Sequence, residues 1–155
     1  MGSFHGKYDY SIDAKGRVNI PAKFRKALTP AAGDTFIIVR APGKCLRAYP
    51  KDVWEVCGAE LSARPDTPEN ITYKRMLFST LSDSTLDTHG RITLTPAQMQ
   101  VAGIAKDVTL VGMESYIELW DMQAHQQLFG MAGGDAADDF DAAFYNSVKT
   151  GLVGQ

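Results

Sequence analysis

The chain states one phrase twice. Residues 12–20 read I-D-A-K-G-R-V-N-I, and residues 86–94 read L-D-T-H-G-R-I-T-L. Asp13, Gly16 and Arg17 return as Asp87, Gly90 and Arg91, each trio set between apolar residues that suit strands. A motif that recurs inside a short chain marks two copies of one structural unit. Two such copies can pack as a pseudo-symmetric domain that shows the same loop twice.

The local chemistry of each phrase is that of a hairpin. Tyr8-Asp9-Tyr10-Ser11-Ile12 alternates and reads as a strand. Asp13-Ala14-Lys15-Gly16 reads as a turn, with Asp suited to its first position and Gly to its fourth, where a positive φ is free of steric cost. Arg17-Val18-Asn19-Ile20 returns, with Val18 and Ile20 on one face. Pro21 then opens a short helix to Leu28, with Phe24 and Leu28 on one side and Lys23, Arg25 and Lys26 more exposed. Strands are expected at Thr35–Arg40 and Cys45–Tyr49, and a helix from Pro50 to about Leu61 that buries Val53, Trp54, Cys57 and Leu61. Ser62–Asn70 is the joint, a helix from about Pro68 to Leu77 leads on, and the pattern then repeats. Tyr49-Pro50 and Trp120-Asp121 fall at matching places. The offset between copies narrows from 74 to 71 residues, so the second copy has shorter loops.

Length and charge narrow the classes further. At 155 residues the chain suits one compact domain with a real core. It has no apolar run long enough for a membrane span and no export signal, so a cytoplasmic location and no membrane partner are expected. Cys45 and Cys57 show no C-x-x-C spacing, and His5, His89 and His125 are scattered, so neither metal nor cofactor is expected. The net charge of −2 is unevenly spread. Residues 1–51 carry ten Lys/Arg against three Asp/Glu, whereas residues 52–155 carry six against fifteen. A basic face around the first copy is therefore compatible with an acidic whole. From Gly130 the composition changes. Gly133-Gly134-Asp135 reads as a linker, and Phe140, Phe144, Tyr145 and Val148 as one stripe of a loosely held acidic helix.

The D-x-x-G-R pair, the run R-V-N-I-P-A-K-F-R, the Tyr49-Pro50 step and L-V-G-M-E-S-Y-I-E-L-W together resemble the MraZ family of bacterial transcriptional regulators. The likeness covers residues 4–129. It implies an α+β fold, mainly β with short helices, in which two tandem AbrB-like copies form a pseudo-two-fold swapped-hairpin β-barrel. The implied organisation is a first copy at 1–66, a second at 67–129 and an acidic tail at 130–155. The resemblance also implies a ring-shaped homo-oligomer, nucleoid-associated, that binds double-stranded DNA at short direct repeats in the promoter of the division and cell-wall gene cluster. Departures are visible. His5 stands where members often carry arginine, Thr95 where a proline is common, and Gln98-Met99 in place of a Leu-Arg pair. With His89 at the position of Lys15, the second hairpin is the less cationic.

Chemistry gives each residue a role in that setting. Arg17 and Arg91 suit bidentate contact with guanine O6 and N7, and Lys15 and His89 are expected beside them on DNA. Asp13, Gly16, Asp87 and Gly90 support the turns. Lys7, Lys23, Arg25 and Lys26 are candidate phosphate contacts, although a solvated helix face explains the last three equally simply. D-x-x-G is also ordinary hairpin chemistry, and an Asp–Arg pair across a turn is often a surface salt bridge worth about 0–1 kcal/mol. Trp54, Trp120, Met99, Met113, Met122 and Met131 read as packing residues. No nucleophile, metal set or phosphate loop accompanies the aspartates, so no catalytic residue is assigned and an enzyme is not expected. The reading is a DNA-binding regulator that represses by occupancy. The alternative is an oligomeric interaction scaffold without sequence-specific DNA binding.

Overall fold

Alternating residues on either side of Asp13-Ala14-Lys15-Gly16 form two strands that meet at a tight turn. The structure, a computed structural model, describes residues 3–130 and 134–148. Strand β1 is Lys7–Ser11 and β2 is Arg17–Asn19, with Val18 and Ile20 buried and Asn19 exposed. Pro21 ends β2 because it offers no N–H to a ladder. Helix α1 (Ala22–Lys26) follows and buries Phe24. After a 3-10 turn at Pro30–Ala32 come β3 (Thr35–Ala41), β4 (Cys45–Pro50) and α2 (Lys51–Ser62). Helix α3 (Pro68–Thr80) is capped by Thr67, whose hydroxyl accepts the Asn70 amide at 3.2 Å. The second copy then runs β5 (Ser82–Thr85), β6 (Arg91–Thr93), α4 (Pro96–Ala102), β7 (Asp107–Gly112), β8 (Ile117–Asp121) and α5 (Met122–Phe129).

Strands of one copy pair with strands of the other. The large sheet has the order β1-β7-β8-β4-β3-β5, and β2 and β6 form a separate ribbon. Tyr8 of β1 stands opposite Leu110 of β7, while Ser84 of β5 stands opposite Phe36 of β3. Exchanging the copies turns the first pairing into the second. It maps β4–β8 and β2–β6 onto themselves, with Leu46 opposite Leu119 and Val18 opposite Ile92. Each hairpin alone would be marginal, and the exchange gives both a sheet to join. The class is α+β with the sheet at its centre. The closed barrel expected from the resemblance is not found among the described residues. The ladder ends at β1 and β5, and the ribbon pairs only with itself. The ribbon strands are too short to bridge that gap, because Pro21 stops β2 and a helix cap at Thr95 follows β6.

The main core draws on both copies: Val18, Ile20, Phe24, Phe36, Ile38 and Leu46 meet Ile92, Leu94, Val108, Leu110, Ile117 and Leu119. Phe4, ahead of β1, is a member that alternation did not single out. It is fully buried and meets Phe24 edge-on at 5.4 Å. Its amide donates to the Glu114 carbonyl at 2.8 Å, and the Glu114 amide donates back at 2.9 Å. On the other face of β3, Ile37 and Val39 pack with Leu61 of α2 and Leu77 of α3. Burial on both faces explains the unbroken apolar run of β3.

Several expectations need correction. Of the α2 residues expected to bury, only Leu61 does. Val53, Trp54 and Cys57 are half-buried, because a cleft between α2 and α3 keeps Trp54 and Cys57 in contact with solvent and a hollow beside Thr29 and Asp52 does the same for Val53. Met113 is exposed rather than packed, since it lies in the turn between β7 and β8, whereas Met99 packs against the core. The chain divides into two compact units, Met1–Met122 and Gln123–Gln155. In the second, helix α6 spans Gly134–Val148, so Gly134 and Asp135 belong to a helix rather than a linker. Asp135 in the first turn favours that start through the helix dipole. Phe140, Phe144 and Tyr145 are exposed. Met131, Gly133 and the side chain of Val148 lie outside the described residues. Among the described residues, no helix is long and apolar enough to cross a membrane.

Candidate functional site

The repeated phrase folds into the same turn both times. The Asp13 amide donates to the Arg17 carbonyl at 3.1 Å, and the Gly16 amide to the Asp13 carbonyl at 3.0 Å. Oδ1 of Asp13 accepts the amides of Lys15 at 3.0 Å and Arg17 at 2.9 Å, and Oδ2 accepts Arg17 Nε at 2.7 Å. In the second turn Asp87 Oδ1 accepts the amides of His89 at 2.8 Å and Arg91 at 3.0 Å, and Oδ2 accepts Arg91 Nε at 2.8 Å. Gly16 and Gly90 take φ of +80° and +74°, the left-handed region that glycine enters freely.

These bonds fix the charge state of both aspartates. The Arg17 amide, followed by its guanidinium and the Lys15 amide, holds Asp13 below the usual carboxylate range despite some desolvation. For Asp87 desolvation raises the pKa, but the bonds from the Arg91 amide and guanidinium and from the His89 amide outweigh it and bring the value to about 2. Both carboxylates are ionised at neutral pH.

The ribbon sets the turns side by side. Leu94 donates its amide to the Gly16 carbonyl at 2.8 Å, and Ile20 donates to the Gly90 carbonyl at 2.9 Å. Asn19 faces Arg91, and Arg17 faces Thr93. A Cβ on Gly16 would lie 2.5 Å from the Leu94 carbonyl oxygen, so the close approach of the first turn to the end of β6 requires glycine. Arg17 and Arg91 sit at the feet of their turns, with side chains 33% and 24% exposed, while Lys15 and His89 are exposed at the tips. Nε of each arginine is committed to its aspartate. The terminal Nη groups of Arg17 make no hydrogen bond among the described residues.

Arg25 joins this group, which spacing did not reveal. Its Nε donates to the Ile20 carbonyl at 3.1 Å, and a Cβ on Gly90 would lie 2.8 Å from that nitrogen. The matching place over Gly16 holds Met99, whose Sδ would lie 3.7 Å from such a Cβ. The cation missing from α4 is thus present at the second turn, supplied from the first copy. Lys7 instead pairs with Asp9 at 3.3 Å on β1, and Lys23 and Lys26 are exposed on α1. Burial pushes the Cys45 thiol up to about 12, so it stays protonated.

A family model described as "MraZ protein, putative antitoxin-like" matches residues 3–74 and again 77–144. The chain belongs to the MraZ family. Each match contains one of the two turns. Among MraZ relatives, a protein of Desulfitobacterium hafniense named Transcriptional regulator MraZ is 37% identical over 150 residues, 96% of this chain and 99% of the relative. One of the same name from Nitrosomonas europaea is 37% identical over 120 residues, 77% of this chain and 81% of the relative. A third, from Burkholderia vietnamiensis, is 36% identical over 141 residues, 88% of this chain and 98% of the relative.

Proposed function

We propose that this chain is a DNA-binding transcriptional regulator, not an enzyme, that represses by occupying promoter DNA through its paired D-x-x-G-R turns. The observation that carries this reading is the pair of braced arginines held side by side by the β2–β6 ribbon. Each aspartate orients its guanidinium through Nε, which leaves the outer fork of Arg17 for a new acceptor, while Nη1 of Arg91 also lies near Asp13. Guanine O6 and N7 in the major groove match that fork. Lys15 and His89 at the tips, Lys23, Arg25 and Lys26 on α1, and Lys7 farther off on β1 contact phosphates and set position without reading sequence. Asp13, Gly16, Asp87 and Gly90 hold the turns in shape.

One pair of turns covers few base pairs, so a single chain binds weakly. Several chains in a ring gain avidity on repeats of matching spacing. The expected target is the set of short direct repeats upstream of the division and cell-wall gene cluster, which places the protein in the cytoplasm on the nucleoid. The interleaved strands then correspond to an AbrB-like swapped hairpin. Residues 1–66 and 67–129 are its two copies, and 130–155 form an acidic tail. Binding falls steeply as salt rises, because phosphate contacts release counterions.

Fluorescence anisotropy with promoter repeats and scrambled duplexes, at two salt concentrations, tests the reading. Arg17→Ala should lose about 1–3 kcal/mol on the repeats and little on scrambled DNA. Light scattering should show the same particle size as before. Equal affinity for repeats and scrambled DNA in the unaltered protein would overturn sequence-specific binding and leave an oligomeric scaffold.

A further inference from the structure

A second cationic site lies away from the paired turns. Between α2 and α3, above β3 and β4, the surface opens into a cleft of about 210 Å³. Arg40, Arg47 and Arg64 line it together with Tyr49, Trp54 and Tyr73, and Glu60 is its one acidic lining residue. Arg40 and Arg64 have no carboxylate within ion-pair distance among the described residues.

Arg47 is held in place and incompletely satisfied. Its Nη1 donates to Tyr49 Oη at 3.1 Å, its guanidinium lies 4.5 Å from the centre of the Tyr116 ring, and Glu118 stands 4.0 Å away. Its Nε is buried and makes no hydrogen bond. That nitrogen is closed off from the cleft and faces Glu118 Oε2, so Arg47 acts on the cleft through its charge and not through Nε. The corner that carries Arg64 is also fixed. Lys74 Nζ donates to the Arg64 carbonyl at 2.8 Å, to Asp66 at 3.0 Å and to the Ser62 carbonyl at 3.4 Å.

The geometry points to a binding site in this cleft for a small phosphate monoester that carries a flat ring, of the nucleoside monophosphate class. Three guanidiniums stand against two carboxylates, Glu60 in the lining and Glu118 beside Arg47, so the surplus rests on Arg40 and Arg64, and phosphate oxygens match the guanidinium fork. Tyr49 is already packed against Trp54 and Tyr116, with ring centres 5.4 Å and 5.0 Å away, so the exposed Tyr73 offers the face on which a ring stacks. The cleft is open on one side, which suits a small ligand held by its phosphate and ring with its sugar toward the mouth. The inference does not depend on the DNA reading.

Calorimetric titration of the full chain with guanosine monophosphate and adenosine monophosphate tests it. Inorganic phosphate and uncharged guanosine serve as the other arms. The monophosphates should bind saturably with Kd at or below about 1 mM, and the two fragments at least about tenfold more weakly. An Arg40→Gln/Arg64→Gln double variant should weaken monophosphate binding about tenfold or more with an unchanged melting temperature. Arg17→Ala should bind it as before, which separates this site from the turns. Equal binding by the double variant, loss in Arg17→Ala, or no saturable binding overturns the site. Phosphate alone binding as tightly as the nucleotides overturns recognition of the ring.

Discussion

Arg91 Nη1 lies 3.9 Å from Asp13 Oδ2, so the cation of the second turn reaches the carboxylate of the first. Asp13 also holds Arg17, and one side chain therefore serves both turns. Among the described residues Asp87 serves its own turn alone. Asp13→Asn should weaken binding to promoter repeats more than Asp87→Asn does, by about threefold or more. Anisotropy on both variants reads the difference, and equal losses would show that the turns act independently.

The two turn glycines share a conformation but differ in what stands beside them. A Cβ on Gly16 meets the Leu94 carbonyl oxygen at 2.5 Å, a backbone atom that cannot swing aside. A Cβ on Gly90 meets the Arg25 side chain, which can. Gly16→Ala should cost about 2–3 kcal/mol and Gly90→Ala about 1–2 kcal/mol. Thermal denaturation of both variants orders them, and the reverse order would contradict the contact.

The second turn should respond to acid in a defined window. The folded pKa of Asp87 is about 2 against 3.8 for the free group, so its support is complete above about pH 4. It is lost as pH falls toward 2, because the folded pKa is the lower of the two. Carbon-detected NMR titration of the Asp87 carboxyl should give a midpoint near 2. A midpoint near 3.8 would mean that the amide bonds are not formed in solution.

Gln98 is fully buried where the first copy has Phe24. Its Oε1 accepts the Thr95 amide at 3.0 Å, and its Nε2 donates to the Thr80 carbonyl and to Ser82 Oγ, each at 2.8 Å. Gln98→Ala leaves buried polar groups unmet and a cavity, at about 2–4 kcal/mol. Urea unfolding should show that loss. Gln98→Leu should not restore the stability, since it fills space without meeting the bonds.

Arg25 should contribute to DNA affinity without reading sequence. Arg25→Ala should weaken repeats and scrambled duplexes alike and lower the salt slope by about 1. A loss confined to the repeats would make Arg25 a base contact instead.

What the sequence made legible was local. D-x-x-G-R specifies its own turn, because Asp13 bonds to residues within four positions of itself. Val18 and Ile20 declared their face by alternation. The Thr95–Gln98 capping box was also there to read, since its side chains bond to backbone three residues apart. The exchange of β1 and β5 between copies was not legible from local pattern, because pairings such as Tyr8 with Leu110 leave no mark in nearby residues, and only the family resemblance implied a swapped hairpin. Arg25 at Gly90 escaped for the same reason, as did Phe4, a lone aromatic outside any periodic stretch. The start of α6 at Gly134 ran against the usual weight given to paired glycines.

The crossing of β1 onto β7 and of β5 onto β3 also bears on what happens if the backbone is cut. A protease nick between α2 and α3 would free no self-sufficient half, since each fragment would still be threaded through the other's ladder. The pieces would persist as a two-chain complex, and the connector between them sets proximity rather than architecture.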